Sequence, residues 1–141
     1  MFGKRKSQAL NAEPRLTVLA ITTSASDREL LRQICDGATW EISFADDVDQ
    51  ALGRPAGIVL CDRDLSGIDW RQAIQRLATC PHPRKVILAS YVVDDYLWDE
   101  VIHCGGYDVL PKPYRAQEVI HTIQFARATV TKSLPSAPHR E

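Results

Sequence analysis

With 141 residues the chain suits one domain with short tails and is long enough to bury a proper core. A net charge of -1 gives no reason to expect a nucleic-acid partner, and no apolar run approaches the roughly 20 residues that span a bilayer. No secretory signal is visible, and Cys35, Cys61, Cys80 and Cys104 form no C-x-x-C pair, so a reduced, cytoplasmic protein is expected.

Residues 1–14 lack periodicity and carry a small basic cluster, Lys4-Arg5-Lys6, while residues 132–141 are rich in Pro and Ser. Both read as tails around a domain over 15–131. Leu16 to Ile21 is a β-branched run that predicts a first strand. Ser26 is expected to cap the next helix, with Glu29 as capping-box partner, Leu30, Leu31 and Ile34 on one face, and Gly37 as the stop. Thr39 to Phe44 alternates as a strand does, and Asp46 to Leu52 predicts a short helix closed by Gly53 and Pro55. Ile58 to Cys61 is apolar without alternation, the pattern of a strand covered on both faces. A helix over Asp69 to Leu77, with Pro81 and Pro83 after it, precedes a second buried strand over Val86 to Ala89. Asp94 to His103 predicts a helix stopped by Gly105-Gly106, and Tyr107 to Leu110 a last short strand. Ala116, Val119, Ile123, Ala126 and Val130 stripe the final helix.

Five strands alternating with five helices argue an α/β fold, a single doubly wound parallel sheet with helices on both faces. Ligands of such sheets sit at the carboxyl ends of the strands, near the point where strand order reverses. Thr22, Thr23, Asp62, Ser90 and Lys112 all fall at or near those ends.

With these residues the chain resembles the receiver domain of bacterial two-component response regulators, over everything but the tails. Asp62, followed by Leu65-Ser66-Gly67 and Asp69, matches the region of the phosphoacceptor aspartate. Ser90, ending Val86 to Ser90, matches the hydroxyl residue that contacts the phosphoryl group. Lys112-Pro113 matches the Lys-Pro pair after the fifth strand, often a cis peptide, and Gly105-Gly106-Tyr107-Asp108 is similar to the turn before it. The resemblance implies a flavodoxin-like, receiver-type fold with Asp62 as phosphoacceptor, Ser90 as phosphoryl hydrogen-bond donor and Lys112 as neutralising charge. It also implies a histidine kinase or phosphotransfer protein as donor. A carboxylate attacking an anionic phosphoryl group depends on positioning and charge neutralisation. In the family a Mg²⁺ held by acids after the first strand supplies much of that charge.

Here the acidic pair falls on Thr22 and Thr23. Asp62 with help from Asp64 is the remaining metal seat, so a weak or absent Mg²⁺ site is expected. Asp27 is expected to serve the helix dipole, too far round to reach the site. The residue after the hydroxyl, usually small, is Tyr91, and the switch aromatic maps to Val109. Tyr91 is one substitute; Tyr107, expected on the same strand face as Val109, is the other. In receivers the fourth helix, fifth strand and fifth helix meet partners or a second copy, and Trp98 and Ile102 on the fourth helix suit such a face.

Blander readings stand beside these. Asp62 can be a loop acid, Lys112 its salt-bridge partner even without phosphate, and Ser90 a strand-end hydroxyl. His82, His103, His121 and His139 have no metal-ligand spacing. One alternative function is a non-phosphorylated pseudo-receiver serving interaction or dimerisation. The other is a flavodoxin-like anion or flavin binder using the hydroxyls of Thr22 to Ser26, though no glycine-rich turn or paired aromatics accompany them. Enzymatic activity beyond self-catalysed phosphoryl acceptance is not expected.

Overall fold

The structure, a computed structural model, describes residues 15–81 and 84–132, with side chains through residue 128. The basic cluster at Lys4 to Lys6, Pro83, His82, His139, the side chain of Val130 and the segment 133–141 lie outside the described residues. The strands are β1 (Leu16–Ile21), β2 (Trp40–Ala45), β3 (Ile58–Asp62), β4 (Lys85–Ser90) and β5 (Asp108–Pro111). The helices are α1 (Ala25–Cys35), α2 (Val48–Leu52), α3 (Trp70–Ala78), α4 (Asp95–His103) and α5 (Ala116–Lys132). All strand pairs are parallel and the sheet runs β2-β1-β3-β4-β5.

Successive strand residues point to opposite faces, and here both faces are buried. Leu19, Ile21, Val59, Cys61 and Leu88 pack with Ala51 of α2, Ile74 and Leu77 of α3, and Val101 of α4. Val18, Ala20, Leu60, Ile87 and Leu110 pack on the other side with Leu31 of α1 and Ile123 of α5. The missing polar alternation in β3 and β4 follows from that double cover. The chain leaves β1 toward β2 and then returns across it to β3, so strand order reverses between β1 and β3. Among the described residues no helix is long and apolar enough to cross a membrane.

Side-chain caps set four helix starts. Asp47, Asp69 and Asp94, read from the sequence as helix residues, stand just outside α2, α3 and α4 as caps and accept from backbone amides. Each such cap contributes about 1 kcal/mol. The first helix departs from expectation. Its cap is Ser24, not Ser26, and the Ser24 side chain accepts from the Asp27 amide at 3.1 Å. Thr22 Oγ1 accepts from the Ser24 amide at 3.1 Å, which tightens the turn and starts the helix two residues early. Glu29, freed of a capping role, meets Arg32 and Gln33 instead.

Tyr107 is also placed differently. It precedes β5 and packs with the α1/α5 layer, its ring 6.4 Å from that of Phe125, whereas Val109 lies in the opposite layer. The expectation that Tyr107 and Val109 share a face therefore fails, because Tyr107 still belongs to the glycine turn. Gly105 has φ 101, and a Cβ on Gly106 would stand 2.6 Å from Val101 Cγ1. That close approach delivers β5, and with it Lys112, to the sheet edge.

Candidate functional site: a lysine shared by two carboxylates

Asp62 ends β3 with its side chain 11% exposed. Its Oδ1 accepts from Lys112 Nζ at 3.3 Å and from the Asp64 amide at 3.3 Å, and its Oδ2 accepts from the Thr22 hydroxyl at 3.2 Å. Thr22 and Lys112 are both buried. Three strand ends thus meet at one carboxylate, as the fold rule for parallel sheets requires.

The lysine has a second partner that the sequence reading placed elsewhere. Lys112 Nζ stands 2.7 Å from Asp27 Oδ2, closer than it stands to Asp62. Asp27 therefore belongs to the site, and the expectation that it lies too far round is corrected. The early start of α1 explains it: with Ser24 rather than Ser26 as cap, Asp27 is the third residue of the helix instead of the first, and from there its side chain meets Lys112. Ser24 and Asp27 have capping-box spacing, the one signal in the sequence that pointed to this start.

The Lys112 ammonium is also 4.9 Å from the Tyr91 ring centroid and 5.7 Å from that of Tyr114. Burial alone would push its pKa down, but the hydrogen bond to Asp27 and the charge of Asp62 outweigh it and hold the pKa above the ordinary lysine value. Beside Asp62, burial and then the aspartate charge push the Cys61 thiol up to about 12, so it stays protonated and unreactive at neutral pH. Burial followed by the two aspartates raises the Tyr114 phenol in the same sense.

Ser90 ends β4 at the same rim, paired with Pro111 across the sheet. Its hydroxyl donates to the Val92 carbonyl at 2.8 Å and accepts from the Val92 amide and from Arg63. It is thus committed to the loop after β4 rather than to Asp62. Arg63, which the sequence reading passed over, lays its guanidinium near the Trp70 ring and 3.3 Å from Ser90 Oγ, adding a cation to the rim. Arg28 pins the Thr22 carbonyl with Nε at 2.9 Å and meets Asp46 at 2.7 Å.

Asp64 and Thr23 are exposed, and only the Asp64 backbone amide meets Asp62. Among the described residues no three His, Cys, Asp or Glu side chains converge on one point. Mg²⁺ needs near-octahedral oxygen ligation. Here both oxygens of Asp62 already accept hydrogen bonds, and the Thr22 hydroxyl donates to one of them. That donor set does not fit the metal implied by the family resemblance.

Tyr91, 60% exposed, lies over the site, while Tyr107 is held against Phe125 and near Lys85. Lys112-Pro113 is a cis peptide. On α4, Leu97 and Val101 are buried, whereas Trp98 and Ile102 reach the surface, with Trp98 Nε1 donating to Asp108 at 3.4 Å.

No protein-family model and no curated protein sequence matches the chain. Solved structures do. The signal receiver domain of an HD domain-containing protein from Pseudomonas fluorescens Pf-5 has a TM-score of 0.76 at 22% identity, covering 85% of this chain and 100% of that one. A response regulator from Thermotoga maritima has a TM-score of 0.72 at 19% identity, covering 82% and 99%. A chemotaxis response regulator of Vibrio cholerae has a TM-score of 0.72 at 17% identity, covering 80% and 99%. The strand order, the rim and these likenesses agree that the chain has the fold of a response-regulator receiver domain.

Proposed function

We propose that this chain is an atypical receiver in phosphorelay signalling, with Asp62 accepting a phosphoryl group and output passing through protein contacts. One observation carries the reading: Asp62 at the end of β3 is ion-paired to Lys112 at the end of β5, 50 residues away in sequence. An Asp62 oxygen would attack the phosphorus of a phosphohistidine on a histidine kinase or phosphotransfer protein. The P–N bond breaks, the imidazole nitrogen takes a proton, and an acyl phosphate forms on Asp62. Lys112, ion-paired to Asp62, offsets the added charge, and Arg63 adds a second cation beside Ser90 on the same rim. The exposure of Trp98, Ile102 and Phe125 supports output through the face of α4 and α5, toward a downstream protein or a second copy.

The test is intact mass after incubation with a small phosphodonor, followed by hydroxylamine, which cleaves acyl phosphates. A single phosphoryl adduct that hydroxylamine removes, and that Asp62→Asn does not form, is the expected result. Wild type without an adduct contradicts it.

A second reading, the non-phosphorylated interaction module, is favoured by the Ser90 hydroxyl being bound into its own loop. The flavodoxin-like anion or flavin binder has less support. The hydroxyls of Thr22, Ser24 and Ser26 are engaged with Asp62, the Asp27 amide and one another, which is the pattern of a helix cap.

A further inference from the structure

The geometry points to Lys112 as the site's own resident cation, standing between Asp27 and Asp62 where a divalent ion would otherwise be bound. This inference concerns cation binding and does not rest on Asp62 being phosphorylated.

The ammonium has the surroundings of a bound ion. Two carboxylates from separate elements lie 2.7 and 3.3 Å away, and the faces of Tyr91 and Tyr114 have their centroids at 4.9 and 5.7 Å. The lysine side chain is 3% exposed and those of Asp27 and Asp62 only 14% and 11%, so the cluster is largely withdrawn from solvent. Two carboxylates in such a place need a positive charge between them. The chain places no acid at the end of β1, where Thr22 is a donor to Asp62, and brings one in from the first turn of α1 instead. The relocated acid grips the lysine more closely than Asp62 does. A divalent ion would have to displace an ammonium held by both of the carboxylates it needs, and Thr22 would have to turn its hydroxyl hydrogen away.

The consequence is specific. Wild type takes no divalent ion at Asp62, whereas removing the ammonium exposes a carboxylate pair with an adjacent hydroxyl, enough for an ion that keeps several of its waters. Mg²⁺ and Mn²⁺ are the probes, read by thermal unfolding and by Mn²⁺-induced water-proton relaxation. For wild type, neither ion should shift the melting temperature or give saturable relaxation. For Lys112→Gln, the protein should melt lower without metal, bind one Mn²⁺ saturably and recover several degrees with Mg²⁺. Adding Asp27→Asn to Lys112→Gln should abolish both the binding and the recovery.

A saturable site in wild type that Asp62→Asn removes would overturn the inference, as would a folded Lys112→Gln that binds neither ion. Should Lys112→Gln not fold alone, refolding with Mg²⁺ present is the same test. Folding that depends on the ion supports the inference. Failure to fold even with Mg²⁺ overturns it, whether or not the double variant folds, because the ion cannot then replace the lysine.

Discussion

The two ends of the candidate site are built by opposite means. At the β5 end the charge is carried by a strand-terminal residue, Lys112, in the position the family resemblance assigns it. At the β1 end the strand delivers only hydroxyls, the Thr22 carbonyl is pinned by Arg28, and the negative charge arrives from the next helix through Asp27. The lesson is that a buried lysine can take a carboxylate partner from a neighbouring helix when the strand end beside it supplies only hydroxyls. The closeness of the Asp27 contact gives the relocated acid a direct part in fixing the lysine.

Substitutions can break that comparison from either end. Lys112→Gln strikes both at once by leaving two largely buried carboxylates without a counter-ion. Breaking such a pair costs about 3–5 kcal/mol, to be read as a lower urea midpoint with an unchanged m-value. Asp27→Asn removes the shorter contact only, and a charge-assisted hydrogen bond is worth about 1.5–3 kcal/mol. Thr22→Val takes the neutral donor from Asp62 and the acceptor from the Ser24 amide, and should cost about 1–2 kcal/mol. Tyr91→Ala removes one aromatic face from the ammonium, an effect of about 0.5–1 kcal/mol in urea unfolding given how exposed the ring is. An Asp27→Asn effect smaller than that of Tyr91→Ala would show that the relocated acid is incidental.

The pH dependence sharpens the same point. The folded lysine pKa lies above its ordinary value of 10.5, so folding stabilises the protonated form. Its contribution is fully present below that ordinary value and is lost as pH rises through the raised folded value. The difference in unfolding free energy between wild type and Asp27→Asn should therefore be flat from neutral pH to about pH 10 and shrink only above it. Chemical denaturation at neutral and strongly alkaline pH measures this. A difference already shrinking near pH 8 would contradict the assignment.

The sheet, the helices and the meeting of Asp62 with Lys112 were legible in the sequence, because buried parallel strands are written as unbroken apolar runs with punctuation between them. Asp27 was barely legible, because the Ser24–Asp27 capping-box spacing that pointed to it is matched by Ser26–Glu29. Its role depends on whether Ser24 or Ser26 caps α1, and either serine can precede the same helical stripe. The Thr22 Oγ1 contact that decides the matter is made two residues upstream and leaves no periodic trace. Tyr107 was misplaced for a related reason: strand alternation cannot be extended backward through Gly105 and Gly106, which reset the chain's direction. Arg63 and the orientation of Ser90 are matters of side-chain choice. A hydroxyl at a strand end can serve its own loop or the site with the same sequence around it.

Whether Asp62 is a phosphoacceptor whose counter-ion is the chain's own lysine is decided by phosphorylation with metal removed. Intact mass would be recorded after incubation with a small phosphodonor in excess EDTA, beside the same reaction in Mg²⁺ and beside Asp62→Asn. The same single adduct is expected with EDTA as with Mg²⁺, and none in Asp62→Asn. An adduct that appears only with Mg²⁺, or no adduct under either condition, would contradict it.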